Sequence, residues 1–160
     1  MAALVPATAR AGTEDEMAGL FLRSCLPYAG QPAALRRWAA GMKLPEVPEP
    51  ARAAFLNGAP GNVFDASNTA GKFALLSSDD GICAVVTDAA GDVETSRALE
   101  HALSAAGTKF RLVIERNDKL NPSLHHREYL AAGHGRAWRI LAAAVHATIP
   151  GRAMLTAAPE

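Results

Sequence analysis

Residues 72–88, KFALLSSDDGICAVVTD, constrain the fold more than any other stretch. Two apolar runs, residues 73–76 and 82–86, flank Ser77-Ser78-Asp79-Asp80-Gly81. Asp-Gly between hydrophobic runs predicts a β-hairpin, because glycine accepts the positive φ that a tight turn requires. Both runs are too continuously apolar for a strand with one wet face, which places the hairpin at the centre of a sheet. Cys83, in the second strand, then points into the core or toward whatever covers the sheet. The only other cysteine, Cys25, falls on the buried stripe of an upstream helical stretch. Whether the two sulfurs are bonded decides what the chain says about its compartment.

The chain of 160 residues is long enough to bury a core as one domain, read here as residues 12–160. Sixteen basic side chains against sixteen acidic ones argue against a nucleic-acid-binding domain, whose phosphate contacts need a basic excess. No apolar run approaches the roughly 18 residues of a membrane span. Residues 1–11, MAALVPATARA, end in Ala9-Arg10-Ala11, the small-x-small form of a signal-peptidase site. They read as the remnant of a signal peptide or as a disordered leader, outside the folded domain. The first reading makes the protein periplasmic or otherwise exported, and the second leaves it cytoplasmic. In an oxidising compartment Cys25 and Cys83 form a disulfide; in the cytosol they are two inert thiols.

Taken in order, Thr13-Glu14-Asp15-Glu16 has the form of a capping box before a helix that Leu26-Pro27 ends. Pro32 starts a second helix, with Leu35, Trp38 and Ala39 on one face and Arg36-Arg37 on the other. A linker stiffened by Pro45, Pro48 and Pro50 leads to a short third helix closed by Asn57-Gly58. Residues 62–65 predict a strand, and the hairpin follows. Asp92 is placed to cap a longer helix on which Val93, Leu99 and Leu103 pack and which Gly107 stops. Residues 108–115 alternate, with Phe110, Leu112 and Ile114 on one face and Arg111 opposite. Residues 125–147 are read as a hairpin turning at Gly133-His134-Gly135, with Tyr129 and Ala131 before it and Trp138, Ile140 and Ala142 after it. A last strand covers 153–157. The fold class is α+β: three N-terminal helices, then an antiparallel sheet of three strands, one helix and three to four strands, with the helices packed on one face.

His125-His126-Arg127-Glu128 is the densest cluster of ionisable side chains. On a strand His126 and Glu128 share one face, and His125 and Arg127 share the other. His126 and Glu128 could supply two metal ligands, or a base and its orienting carboxylate, but no third ligand stands nearby at a recognisable spacing. His101 and His146 are lone histidines, read as structural. No Gly-x-Ser-x-Gly elbow is present, Gly71-Lys72 lacks the residues of a phosphate loop, and Asp79-Asp80 lacks the calcium-loop pattern. No catalytic residue and no cofactor is expected.

Leu26-Pro27 after Cys25, Leu35-x-x-Trp38, the run Phe55-Leu56-Asn57-Gly58-Ala59-Pro60-Gly61 and the run Gly81-Ile82-Cys83-Ala84-Val85 together resemble a family of short, uncharacterised exported proteins of Gram-negative bacteria. The resemblance runs from Met17 to Met154. It implies an exported protein with a paired cysteine, and it carries no catalytic residues to transfer. The functional expectation is a non-catalytic envelope protein that binds another protein, as an accessory or immunity-type module. Its contact surface would be the uncovered sheet face or the groove beside the proline-rich linker. The competing expectation is a small metal-dependent hydrolase using His126 and Glu128.

Overall fold

The computed structural model describes residues 12–146 and 151–160, so the leader reading of residues 1–11 lies outside the described residues. Four helices and seven strands follow in the order α1 (Thr13–Tyr28), α2 (Pro32–Gly41), α3 (Ala51–Leu56), β1 (Gly61–Asp65), β2 (Ala74–Ser78), β3 (Cys83–Ala90), α4 (Asp92–Ala105), β4 (Lys109–Asn117), β5 (Leu124–Gly133), β6 (Arg136–Val145) and β7 (Gly151–Pro159). All pairings are antiparallel in one sheet ordered β1-β2-β3-β7-β6-β5-β4, so the domain is α+β. The hairpin of residues 72–88 is β2–β3, as expected. The middle strand, however, is β7, which pairs with β3 on one side and β6 on the other.

The main core lies between the sheet and the layer of α1 and α4. Met17, Phe21 and Cys25 from α1 and Leu99 and Leu103 from α4 meet Leu75, Val85, Tyr129, Ile140 and Leu155, all fully or almost fully buried. Not all helices share that side. Leu56 of α3, with Phe55 and Val47, packs on Val63, Leu76, Ala84 and Val86, which alternation places on the opposite face of β1–β3. The linker carries α3 across the edge: the Val47 amide donates to the Val63 carbonyl and the Asp65 amide to the Pro45 carbonyl, each at 2.8 Å. The same two bonds close the β1 edge of the sheet.

Helix starts differ from expectation in an instructive way. Gly12, not Thr13, is the N-cap of α1, and Asp15 accepts from the Gly12 amide. Thr13 instead donates its hydroxyl to the Ala70 carbonyl at 2.9 Å, and Glu14 accepts the Gly91 amide at the head of α4 at 2.9 Å. Likewise Gly91 caps α4, so Asp92 sits in the first turn with its carboxylate released for other partners. Val93 points to solvent, while Thr95, Ser96 and Leu99 face inward. α1 runs one residue past Pro27, so its last turn lacks one i→i−4 backbone donor. Its last carbonyls are taken from across the chain. Trp138 Nε1 donates to the Leu26 carbonyl at 2.8 Å, and Arg136 donates to the carbonyls of Pro27 and Ala29. Cys25 and Cys83 are joined in a disulfide beside this junction, and no described cysteine is free. Gly81 is required there: its φ is +94°, and a Cβ would sit 2.8 Å from the Gly30 Cα.

Two readings of the second half meet different fates. The β5–β6 hairpin forms as expected, turning at His134 and Gly135, both with positive φ. In β4, by contrast, a bulge between Leu112 and Ile114 breaks the alternation. Phe110 and Leu112 keep to the helix side, but Ile114 is moved to the opposite face with Arg111 and Arg116, and Glu115 takes the inward place.

Candidate functional site

The side chains of the His125-His126-Arg127-Glu128 cluster part company across β5, as alternation requires. His125 and Arg127 face α4. His126 and Glu128 face the other side of the sheet, where Glu128 binds Arg139 and His126 Nε2 lies 3.3 Å from an Asp118 oxygen without the alignment of a hydrogen bond. His126 and Glu128 therefore do not converge on one site: Glu128 is taken by Arg139, and His126 Nε2 has no hydrogen-bond partner among the described residues. Among the described residues no group of three or more His, Cys, Asp or Glu side chains is gathered to hold a metal ion.

On the helix side, a chain of charges ties α4 to the sheet. Asp92 is only 6% exposed and divides its carboxylate: Oδ1 accepts from Arg127 Nη1 at 2.7 Å and Oδ2 faces His146 Nδ1 at 2.9 Å. Arg127 also donates to Ser96 Oγ at 2.6 Å and, through Nε, to Glu115 Oε1 at 3.1 Å. Glu115 Oε1 meets His125 Nε2 at 3.0 Å, and His125 Nδ1 meets Asn117 Oδ1 at 2.8 Å. The His125 hydrogen bond, with the charge of Arg127, holds the Glu115 carboxyl below its usual range. One turn further along α4, Glu100 accepts from the Tyr129 hydroxyl at 2.8 Å. Burial, then this hydrogen bond, push the Tyr129 phenol above its usual range. His146, read from the sequence as a lone histidine, thus has a carboxylate partner and stands 6.2 Å from the His125 ring. Each imidazole–carboxylate pair has the form that orients a general base. The Ser96 hydroxyl is already engaged with Arg127 and the Asp92 carbonyl, and the Tyr129 hydroxyl with Glu100. The arrangement is a clamp between α4 and β4–β6.

The other face of the sheet is covered unevenly. Over β1–β3 it lies under α3 and Val47. Over β4–β7 no described helix lies on it, and Leu124, Leu130, Leu141, Val145 and Met154 are only half-buried there. Where the two halves meet, a groove of about 540 Å³ opens between α3, the linker and the ends of β2, β3 and β7. Val47, Phe55, Ala74 and Val86 line it, with Lys72, Asp88 and Arg152 at its polar rim. A volume of that size is in the range of binding clefts. Ser67 donates hydrogen bonds to the nearby Asp65 carboxylate, which with the charge of Lys72 holds it below its usual range. The sequence offered no sign of this asymmetry beyond naming the two surfaces, because it depends on which side of the sheet α3 takes.

No protein-family model matches the chain, and no curated protein or solved structure matches it. No described helix is long and apolar enough to cross a membrane.

Proposed function

We propose that this is an exported, non-catalytic module that binds another protein through the open face of β4–β7 and the adjoining groove. The observation that carries the reading is the half-covered sheet: on one face α1 and α4 pack against β3, β7, β6 and the near part of β4, whereas on the other the described helices cover only β1–β3. Half-buried Leu130, Leu141 and Met154 present apolar surface there around the Glu128–Arg139 ion pair, and apolar surface rimmed by polar groups marks interaction sites. The groove at its end has the shape of a pocket for a buried anchor side chain of the partner. Export is supported by the Cys25–Cys83 disulfide, since such bonds persist in oxidising compartments, and by the resemblance to exported Gram-negative proteins. An accessory or immunity-type role fits this reading, because neither needs chemistry of its own.

The test is affinity purification from the native envelope fraction of wild type and Leu141→Asp. Leu141 sits half-buried on the open face opposite Glu128, so the comparison is made after circular dichroism and a cooperative melting transition show that the variant is folded. The expected result is a stoichiometric companion protein with the wild type that is lost with Leu141→Asp. Retention of the same companion by a folded Leu141→Asp would place the contact elsewhere.

A further inference from the structure

We propose that the free edge of β4 accepts an extended, acidic segment of the partner as an added strand, an inference that rests on the protein-binding reading above. The sheet has two edges, and the chain treats them differently. The β1 edge is closed by the linker through the Val47–Val63 and Asp65–Pro45 backbone bonds. Along β4, nine residues long, the outward row of backbone N–H and C=O groups has no partner strand among the described residues. An unpaired row of this length is a template for another strand.

The side chains of β4 say what kind of strand fits. Leu112, on the helix side, is 43% exposed and Ile114, on the open face, is 41% exposed. A helix laid on either face would cover one of them. An added strand, whose side chains alternate between faces, covers both. On the open face Lys109, Arg111 and Arg116 are exposed and make no ion pair among the described residues. Asp118, in the following loop, feels the charge of Arg116 but is held below its usual range first by the Asn121 and Leu120 amides. Over β4–β7 as a whole that face carries Lys109, Arg111, Arg116, Arg139 and Arg152 against Glu128 and Glu160, and both acids are on Arg139. Acidic side chains on the added strand would lie directly opposite the unpaired cations, where opposite charges stabilise and like charges destabilise. The same rule disfavours a second copy of this chain. Antiparallel pairing of β4 with itself brings Lys109 toward Arg116, like charges facing each other.

The experiment uses two fluorescent peptides of about ten residues, one alternating Glu and Val and one alternating Lys and Val. Binding to the disulfide-bonded protein is read by anisotropy at two salt concentrations. The expected result is binding of the Glu-Val peptide alone, weakened by salt, and lost when alternate residues of the peptide are N-methylated. Arg111→Glu/Arg116→Glu, at two exposed positions, should lower its affinity about tenfold or more and admit the Lys-Val peptide. No binding of the Glu-Val peptide would overturn the proposal. So would equal binding of the N-methylated peptide, which shows charge attraction without strand addition. Adsorption to phosphatidylglycerol vesicles with the same dependence on Arg111 and Arg116, in place of peptide binding, would reassign the edge to an anionic lipid surface. Capture of the native companion that survives Arg111→Glu/Arg116→Glu but not Leu141→Asp would overturn the strand-addition proposal and leave the protein-binding function standing.

Discussion

Replacing Cys25 and Cys83 together by serine should cost about 2–5 kcal/mol of stability. The bond links positions 58 apart, from the last turns of α1 to the start of β3. On the chain-entropy account, most of its effect is to restrict the unfolded chain over that long loop. The native state adds a local reason. Both cysteines are buried in the core beside the junction where Trp138 and Arg136 satisfy the end of α1, so the serines would bring hydroxyls into an apolar site. For a domain of this size the loss corresponds to a fall in melting temperature on the order of 10 °C. Calorimetry of the oxidised wild type and the double serine variant measures it. Equal melting temperatures would show that α1 is held to the sheet by packing alone.

Arg127→Ala should be at least as damaging, at about 3–5 kcal/mol, because it leaves a buried carboxylate without its cation. Asp92 is 6% exposed and has two partners, Arg127 and His146, of which His146 is 70% exposed. Removing Arg127 also strips Glu115 and Ser96 of a donor. Arg127→Lys should recover only part of the loss, since an ammonium cannot span Asp92, Ser96 and Glu115 as the guanidinium does. Asp92→Leu/Arg127→Met should be milder than the sum of the single changes, because neither partner is then left charged and alone. Urea unfolding of the four proteins gives the cycle. Strict additivity would mean that the two groups stabilise the protein independently, against the clamp described here.

The residues show which parts of this architecture can be read from sequence. Local signals worked. Asp-Gly at the β2–β3 turn and Gly-His-Gly at the β5–β6 turn both mark backbone with positive φ, and the structure has it at Gly81, His134 and Gly135. Alternation identified Tyr129, Trp138 and Ile140 as inward-facing, and all three are buried. Alternation failed in β4, where one inserted residue moves Ile114 to the other face and no residue type announces the insertion. Caps failed at Thr13 and Asp92 because tertiary partners, the Ala70 carbonyl and Arg127, claim their side chains. The clamp itself was illegible. Asp92 lies 35 positions from Arg127 and 54 from His146, and only the crossing of α4 over β5 and β6 brings them together. The dense tetrad at residues 125–128 was visible, but the pleat divides it between two faces, so it is not one site.

The most direct measurement of the binding account is site-specific photocrosslinking in living cells of the native host. A benzophenone side chain is placed at Leu141 on the open face in one strain and at Arg37, on the exposed side of α2, in another. One discrete adduct of higher mass is expected from position 141 and none from position 37, with the adduct found in the envelope fraction. An adduct from position 37 alone would contradict the placement of the interface. No adduct from either position, with the protein folded and present at native level, would contradict protein binding itself.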